Sequence, residues 1–170
     1  MNLEIERKFL VKDDGWRADA VASTALRQGY LANTAASSVR VRIAGGEGWL
    51  SVKAMRTGRS REEFEYAIPL ADARALLDGF SEGPPIEKTR HRVPVGSHAF
   101  EIDEFAGANH GLVIAEVELD DPEEQFPRPR WLGDEVTDDA RFYNVRLARE
   151  PFCDWPAALR GAVSRGGREP

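Results

Sequence analysis

A period of two runs through most of this chain. In eight short segments apolar residues alternate with polar ones, as in strands whose successive side chains point to opposite faces. Leu3, Ile5, Phe9 and Val11 alternate with Glu4, Glu6 and Lys8, and Val39, Val41 and Ile43 with Arg40 and Arg42. Leu50 and Val52 alternate with Trp49, Ser51 and Lys53, while Phe64, Tyr66 and Ile68 oppose Glu63 and Glu65. Extended stretches follow over Ile86 to Val95, at Phe100 and Ile102 against Glu101 and Asp103, and over Leu112 to Leu119. A weaker one covers Leu26 to Leu31. Gly45-Gly46-Glu47-Gly48, Gly83-Pro84-Pro85 and Gly96 supply turns between them.

The remaining material is helical or connecting. Leu70, Ala73, Leu76 and Leu77 have helical spacing within Leu70 to Asp78. Further helices are expected at Gly15 to Ser23, Pro122 to Gln125, where Asp120, Asp121, Glu123 and Glu124 favour a helix start, Asp138 to Leu147 and Ala157 to Val163. The division expected is one domain over residues 1–150, then a C-terminal helix and a frayed tail over 151–170.

In each strand one parity is apolar and the other carries charge. The signs are sorted by segment: acids at Glu4/Glu6, Glu63/Glu65, Glu101/Asp103 and Glu116/Glu118, bases at Arg40/Arg42 and Lys88/Arg90, with Lys8 and Lys53 beside them. Like charges at neighbouring positions of one face repel, so this sorting points to a ligand that resolves it. Eight strands suggest closure into a barrel, which leaves no exposed edge. The expected fold is therefore α+β: an eight-stranded antiparallel β-barrel with helices packed outside and the charged faces inside a hydrated lumen, since unpaired buried ions are costly. Eight acids against six bases make that lumen net negative. A triphosphate would then fit only with divalent cations on the acidic half, two of them by this balance. Magnesium, held by one or two carboxylates plus phosphate oxygens, suits such a split. Arginine forks suit the phosphates.

Composition narrows the alternatives. A formal charge of −6 disfavours general nucleic-acid binding. No apolar run approaches the ~20 residues of a membrane span, and no signal-peptide core opens the chain. Cys153 is the single cysteine, so neither an intramolecular disulfide nor a cysteine metal cluster is possible, and a reducing cytoplasmic setting is expected. His91, His98 and His110 are widely spaced and suit surface roles, while Trp131 suits an anchor for the Pro127–Arg130 connector.

Glu4-Ile5-Glu6-Arg7-Lys8 resembles the E-x-E-x-K signature that opens the CYTH family, the triphosphate tunnel metalloenzymes. The other family stretches follow in order: Val39-Arg40-Val41-Arg42, Lys53, Glu63-Phe64-Glu65, Glu87-Lys88-Thr89-Arg90, Glu101-Ile102-Asp103, Glu116-Val117-Glu118, and Glu135-Val136-Thr137-Asp138 with Arg141 and Asn144. The resemblance implies an eight-stranded tunnel and Mg2+- or Mn2+-dependent chemistry on triphosphates. It implies Glu4, Glu6, Glu116 and Glu118 as metal ligands, with Asp103 and Glu101 beside them. Lys8, Arg40, Arg42, Lys53, Lys88 and Arg90 would hold phosphates. Glu63 and Glu65 are either ligands or rim ion-pair partners. Tyr30 is either a packed strand aromatic or a hydroxyl near Lys8 or a terminal phosphate, and Lys8, Tyr30 and Glu6 form the implied catalytic group. The small size and Arg27-Gln28-Gly29-Tyr30-Leu31 resemble short bacterial tripolyphosphatases, which implies hydrolysis of tripolyphosphate to pyrophosphate and phosphate. The alternatives are a class IV-type adenylate cyclase, a thiamine triphosphatase, or a non-catalytic polyphosphate- or nucleotide-binding module. Trp49 is the only aromatic candidate to hold a base. The partner implied is a small triphosphate, not a nucleic acid or membrane, for a monomer or homodimer.

Overall fold

The computed structural model describes residues 5–55, 61–164 and 166, so Glu4 lies outside the described residues. Nine strands are present: β1 (Ile5–Val11), β2 (Ala22–Asn33), β3 (Ser37–Ala44), β4 (Glu47–Met55), β5 (Arg61–Ile68), β6 (Ile86–Val95), β7 (His98–Phe105), β8 (Val113–Leu119) and β9 (Leu132–Glu135). They form one antiparallel sheet in the order β5-β4-β3-β2-β6-β7-β8-β1-β9.

The closed eight-stranded barrel expected above is thus corrected to a nine-stranded sheet that does not close. β9 pairs with the outer edge of β1, with Phe9 opposite Glu135 and Val11 opposite Leu132. It thereby takes part of the edge that β5 would need to complete a barrel. The sheet is nonetheless strongly curled, because side chains from β1 and β5, seven places apart in the order, line one cavity.

Three other elements differ from expectation. The helix expected at Gly15 to Ser23 is a short 3-10 turn, Asp14–Asp19, and β2 begins soon after it, at Ala22. Ladder pairing with β6, from Ala22 opposite Arg92 to Gln28 opposite Ile86, overrides the weak local pattern there. No helix forms at 122–125; the acids there instead close tight turns, with Glu124 accepting from the Asp120 backbone and Asp121 from that of Glu123. The expected helix over Asp138 to Leu147 is a 3-10 turn, Ala140–Phe142, followed by the short α2 (Asn144–Leu147). The remaining helices are α1 (Leu70–Gly79) and α3 (Ala157–Ser164), both where the periodicity put them.

The convex face is apolar. Phe9, Val93, Phe100, Ile102, Ala115 and Val117 are buried there under Trp16 and Trp131. α1 covers the other end of this face, packing Ala73 and Leu77 on Val41. The approach is close: a Cβ on Gly48 would stand 2.8 Å from the Ala73 Cβ and 2.9 Å from the Ile68 carbonyl oxygen. On the concave face the charged parity ends in Leu10, Ile86, Phe105 and Ile114, and the C-terminal segment covers these with Phe142, Leu147, Phe152 and Val163. One end of the concavity is therefore apolar and sealed, and the charges occupy the rest.

The tight seat of α1 predicts that Gly48→Ala destabilises the protein by roughly 1–3 kcal/mol through overpacking. Gly79→Ala, where nothing lies within 4 Å, should be near neutral. Thermal denaturation of the two variants beside the parent protein checks this.

Candidate functional site

The period of two carries the charged residues to one place. Glu6 and Lys8 (β1), Arg40 and Arg42 (β3), Lys53 (β4), Glu63 and Glu65 (β5), Lys88 and Arg90 (β6), and Glu116 and Glu118 (β8) line a concave cavity of about 460 Å³. Leu26 and Gln28 of β2 and Asn144 of α2 complete its wall. All of the expected phosphate-binding residues are here, with three of the expected metal ligands.

Cross-strand pairing organises these charges into two groups. In the first, the Lys8 ammonium donates to both Glu6 and Glu116. Arg90 donates from Nη2 to Glu116 at 2.7 Å, from Nε and Nη2 to the two Asp103 oxygens at 2.7 Å, and from Nη1 to Glu101. Lys88 donates to Asp103 as well. Lys88 and Asp103 are both almost closed to solvent, their side chains 2% and 1% exposed. Asp103 therefore stands behind the cavity wall with both oxygens taken up by the two cations that line it. In the second group, Arg42 donates to Glu65 at 3.0 Å and Ser51 to the same oxygen at 2.8 Å. Lys53 pairs with Glu63 at 2.9 Å, and Arg40 lies 3.7 Å from Glu63. The segment-by-segment sorting of sign is thus partly resolved by the fold itself, since acidic β7 lies beside basic β6, Arg90 reaches across it to Glu116 on β8, and acidic β5 lies beside β4 with Lys53. A ligand is not needed to relieve those pairs.

The titration of these groups follows from burial and neighbours. Burial pushes the Glu116 carboxyl up, but Lys88, Lys8 and Arg90 outweigh it and hold the carboxyl down at about 2. Burial, then the nearby Glu116 carboxylate, raises Glu6 above the ordinary range despite Lys8, although its side chain is still 38% exposed at the cavity rim. Burial opposes the charge on Lys8, yet Glu116 and Glu6 leave its pKa raised, so it stays an ammonium ion. Burial likewise raises the Tyr30 phenol, against the pull of Arg40 and Lys8, so this hydroxyl stays protonated at neutral pH. Tyr30 faces Arg40 across β2 and β3.

Several polar atoms in the cavity wall are not satisfied within the protein. Arg40 Nε, Arg42 Nε, Gln28 Nε2 and Asn144 Oδ1 are buried without hydrogen-bond partners among the described residues. Buried polar groups are normally paired, so within the cavity these atoms are open to a polar ligand or to water, as Trp16 Nε1, Ser81 Oγ and Arg160 Nε are elsewhere. Gln28 and Ser51 had the right parity to be found from sequence but no charge to single them out. Asn144 carried no local signal for the cavity, because the C-terminal segment brings it there from outside the sheet. Among the described residues no three His, Cys, Asp or Glu side chains converge as a ready metal cage.

Comparison with known proteins agrees with this geometry. A family model described as the CYTH domain matches residues 2–143. An inorganic triphosphatase of Acetivibrio thermocellus is 43% identical over 152 residues, covering 89% of this chain and 97% of that protein. Another, from Nitrosomonas europaea, is 40% identical over 152 residues, covering 85% of this chain and 96% of its own length. A crystal structure of an inorganic triphosphatase superposes with a TM-score of 0.67 at 36% identity, over 87% of this chain and 95% of that one. With a matching domain that spans most of its length and relatives this similar, the chain belongs to the CYTH family.

Proposed function

We propose that this protein is an inorganic triphosphatase that hydrolyses tripolyphosphate to pyrophosphate and orthophosphate within its charged concavity. The observation that carries this is a cavity walled by guanidinium and ammonium groups in which the buried Nε atoms of Arg40 and Arg42 have no partner among the described residues. The relatives named inorganic triphosphatase support it. In this reading the curled face of the sheet works as a tunnel around the phosphates, and the substrate is a small molecule.

Arg40, Arg42, Lys53, Lys88 and Arg90 bind and orient the phosphate oxygens and stabilise the charge that spreads over the transferred group and the leaving pyrophosphate. Lys8, with its raised pKa, acts as a fixed positive charge and not as a base. Tyr30, kept protonated and opposite Arg40, has a hydroxyl that would donate to a phosphate oxygen there. A carboxylate on the acidic side of the cavity, where Glu6, Glu116 and Glu118 stand, orients the attacking water, and Glu6 at the rim is the one placed for it. Asp103, with both oxygens held, acts at one remove by fixing Lys88 and Arg90 in place.

Glu6 and Glu118, on the acidic side of the cavity, offer oxygen donors that fit Mg2+ or Mn2+, with Glu4 as the further ligand implied by the signature; both Glu116 oxygens are held by Lys8 and Arg90, so Glu116 would join them only on release from one of these cations. The lack of a preformed three-carboxylate cage is compatible with ions that take much of their coordination from phosphate and water. Two such cations, when bound, would neutralise phosphate charge and polarise the bonds to be broken.

The direct test is phosphate release from tripolyphosphate, ATP, thiamine triphosphate and longer polyphosphate, each with Mg2+ and with Mn2+. Turnover should be fastest with tripolyphosphate; faster release from ATP, or none from any substrate, overturns the assignment. Arg42→Ala should raise KM for tripolyphosphate by roughly tenfold or more at saturating metal, the scale of one charge-assisted hydrogen bond. Glu6→Gln should instead shift the metal concentration needed for half-maximal turnover. Excess chelator should abolish turnover and leave the melting temperature of the metal-free protein unchanged.

A further inference from the structure

Among the described residues, β2 is the one strand of the cavity wall that brings no charge to it. It lies between two basic strands, β3 with Arg40 and Arg42 and β6 with Lys88 and Arg90, and contributes Leu26 and Gln28. In register, Leu26 stands opposite Lys88 and Gln28 opposite Arg42. A third cationic row here would place like charges on directly opposed neighbours, about 4.5–5.5 Å apart, where they destabilise the sheet. A neutral side chain avoids that repulsion, and a glutamine does so while still offering a hydrogen-bond donor.

Gln28 is 3% exposed, and its Nε2 is buried with no partner among the described residues. Packing alone does not call for an amide here, since an apolar residue of similar size would fill the space without an unmade hydrogen bond. Its place opposite Arg42 in the cavity wall gives the amide a use only when the cavity is filled.

We propose that Gln28 is a substrate-binding residue, whose neutral amide donates to a phosphate oxygen held between the Arg42 and Lys88 rows and so sets where the chain of phosphates sits. This rests on the tripolyphosphate reading above and adds a contact to it. The amide recognises an oxygen without adding charge, so its contribution depends on position and survives added salt better than that of the arginines.

The test is Gln28→Leu, with Gln28→Met as a second apolar variant that packs differently. Two readouts are taken: tripolyphosphate KM and kcat with saturating Mg2+, and the melting temperature with and without tripolyphosphate. The expected result is a KM raised by about tenfold, the scale of a hydrogen bond to a charged acceptor. The ligand-free melting temperature should be unchanged or higher, and the rise on adding tripolyphosphate should shrink. A residue with a merely structural role would show the reverse, a lower ligand-free melting temperature with KM unchanged, and that result overturns the proposal. So does a KM within twofold of the parent in both variants. Parent protein that turns over tripolyphosphate while the variants match it removes only the role of Gln28. Parent protein that neither binds nor hydrolyses tripolyphosphate removes the reaction assignment, and the role of Gln28 with it.

Discussion

Glu116 lies buried between Lys8 on the adjacent strand and Arg90 two strands away, and those cations, with Lys88, hold its carboxyl at about 2. Much of the concavity depends on this contact. A carboxylate withdrawn from water is tolerable only with close partners, and removing one partner from such a pair costs about 3–5 kcal/mol. Because Arg90 also grips Asp103 and Glu101, the network ties β6, β7, β8 and β1 together through side chains as well as through the ladder. The cations of the cavity are thus positioned by the fold before any ligand arrives. Preorganised charge is what phosphoryl transfer asks of a protein, since positioning and electrostatic stabilisation supply most of the acceleration.

The same network shows why the cavity needs partners of both signs. Lys8 is shared by Glu6 and Glu116 and so occupies space between the two carboxylates. On the far side, Arg42 and Lys53 are each held by a carboxylate of β5, yet Arg42 keeps its Nε unpaired. A polyanion alone would satisfy the unused donors while repelling Glu65 and Glu63. A cation alone would satisfy the carboxylates while opposing Lys8. In the proposed reaction a phosphate chain together with divalent cations would offer an opposite charge to both sides, replacing the pairs the fold already makes there.

Legibility in the sequence followed the strength of the local signal. Period-two alternation with charge on one parity marked the strands that build the cavity, and the cavity wall has the expected Glu6, Lys8, Arg40, Arg42, Lys53, Lys88, Arg90, Glu116 and Glu118. What stayed hidden depends on tertiary contact. The first residues of β2, Ala22 to Ala25, are exposed and carry no alternation, and are strand because β6 pairs with them. β9 is four residues long and contains Gly133, where a Cβ would stand 2.6 Å from the Leu10 carbonyl oxygen. Its existence rests on that close approach and not on propensity. Closure could not be read from parity either, because a curled open sheet and a barrel present the same alternation. Asp103 illustrates the limit within the site: parity placed it on the charged face, but only the register opposite Arg90 shows that its oxygens are used by neighbouring cations.

The formal charge of −6 argues against a general affinity for phosphate, while the cavity is a place where phosphate fits. Distance and exposure reconcile the two. Asp120, Asp121 and Glu123 lie on the solvated surface, where salt screens a charge over about 8–10 Å. Arg40, Arg42, Lys88 and Arg90 face inward on the cavity wall, partly or fully buried, where each interaction is less screened. Net charge therefore sets what the outside of this protein attracts, and the ordering of strands sets what its concavity holds. Size and shape, with β2 as the uncharged strip between two basic strands, then do the selecting that charge alone cannot do.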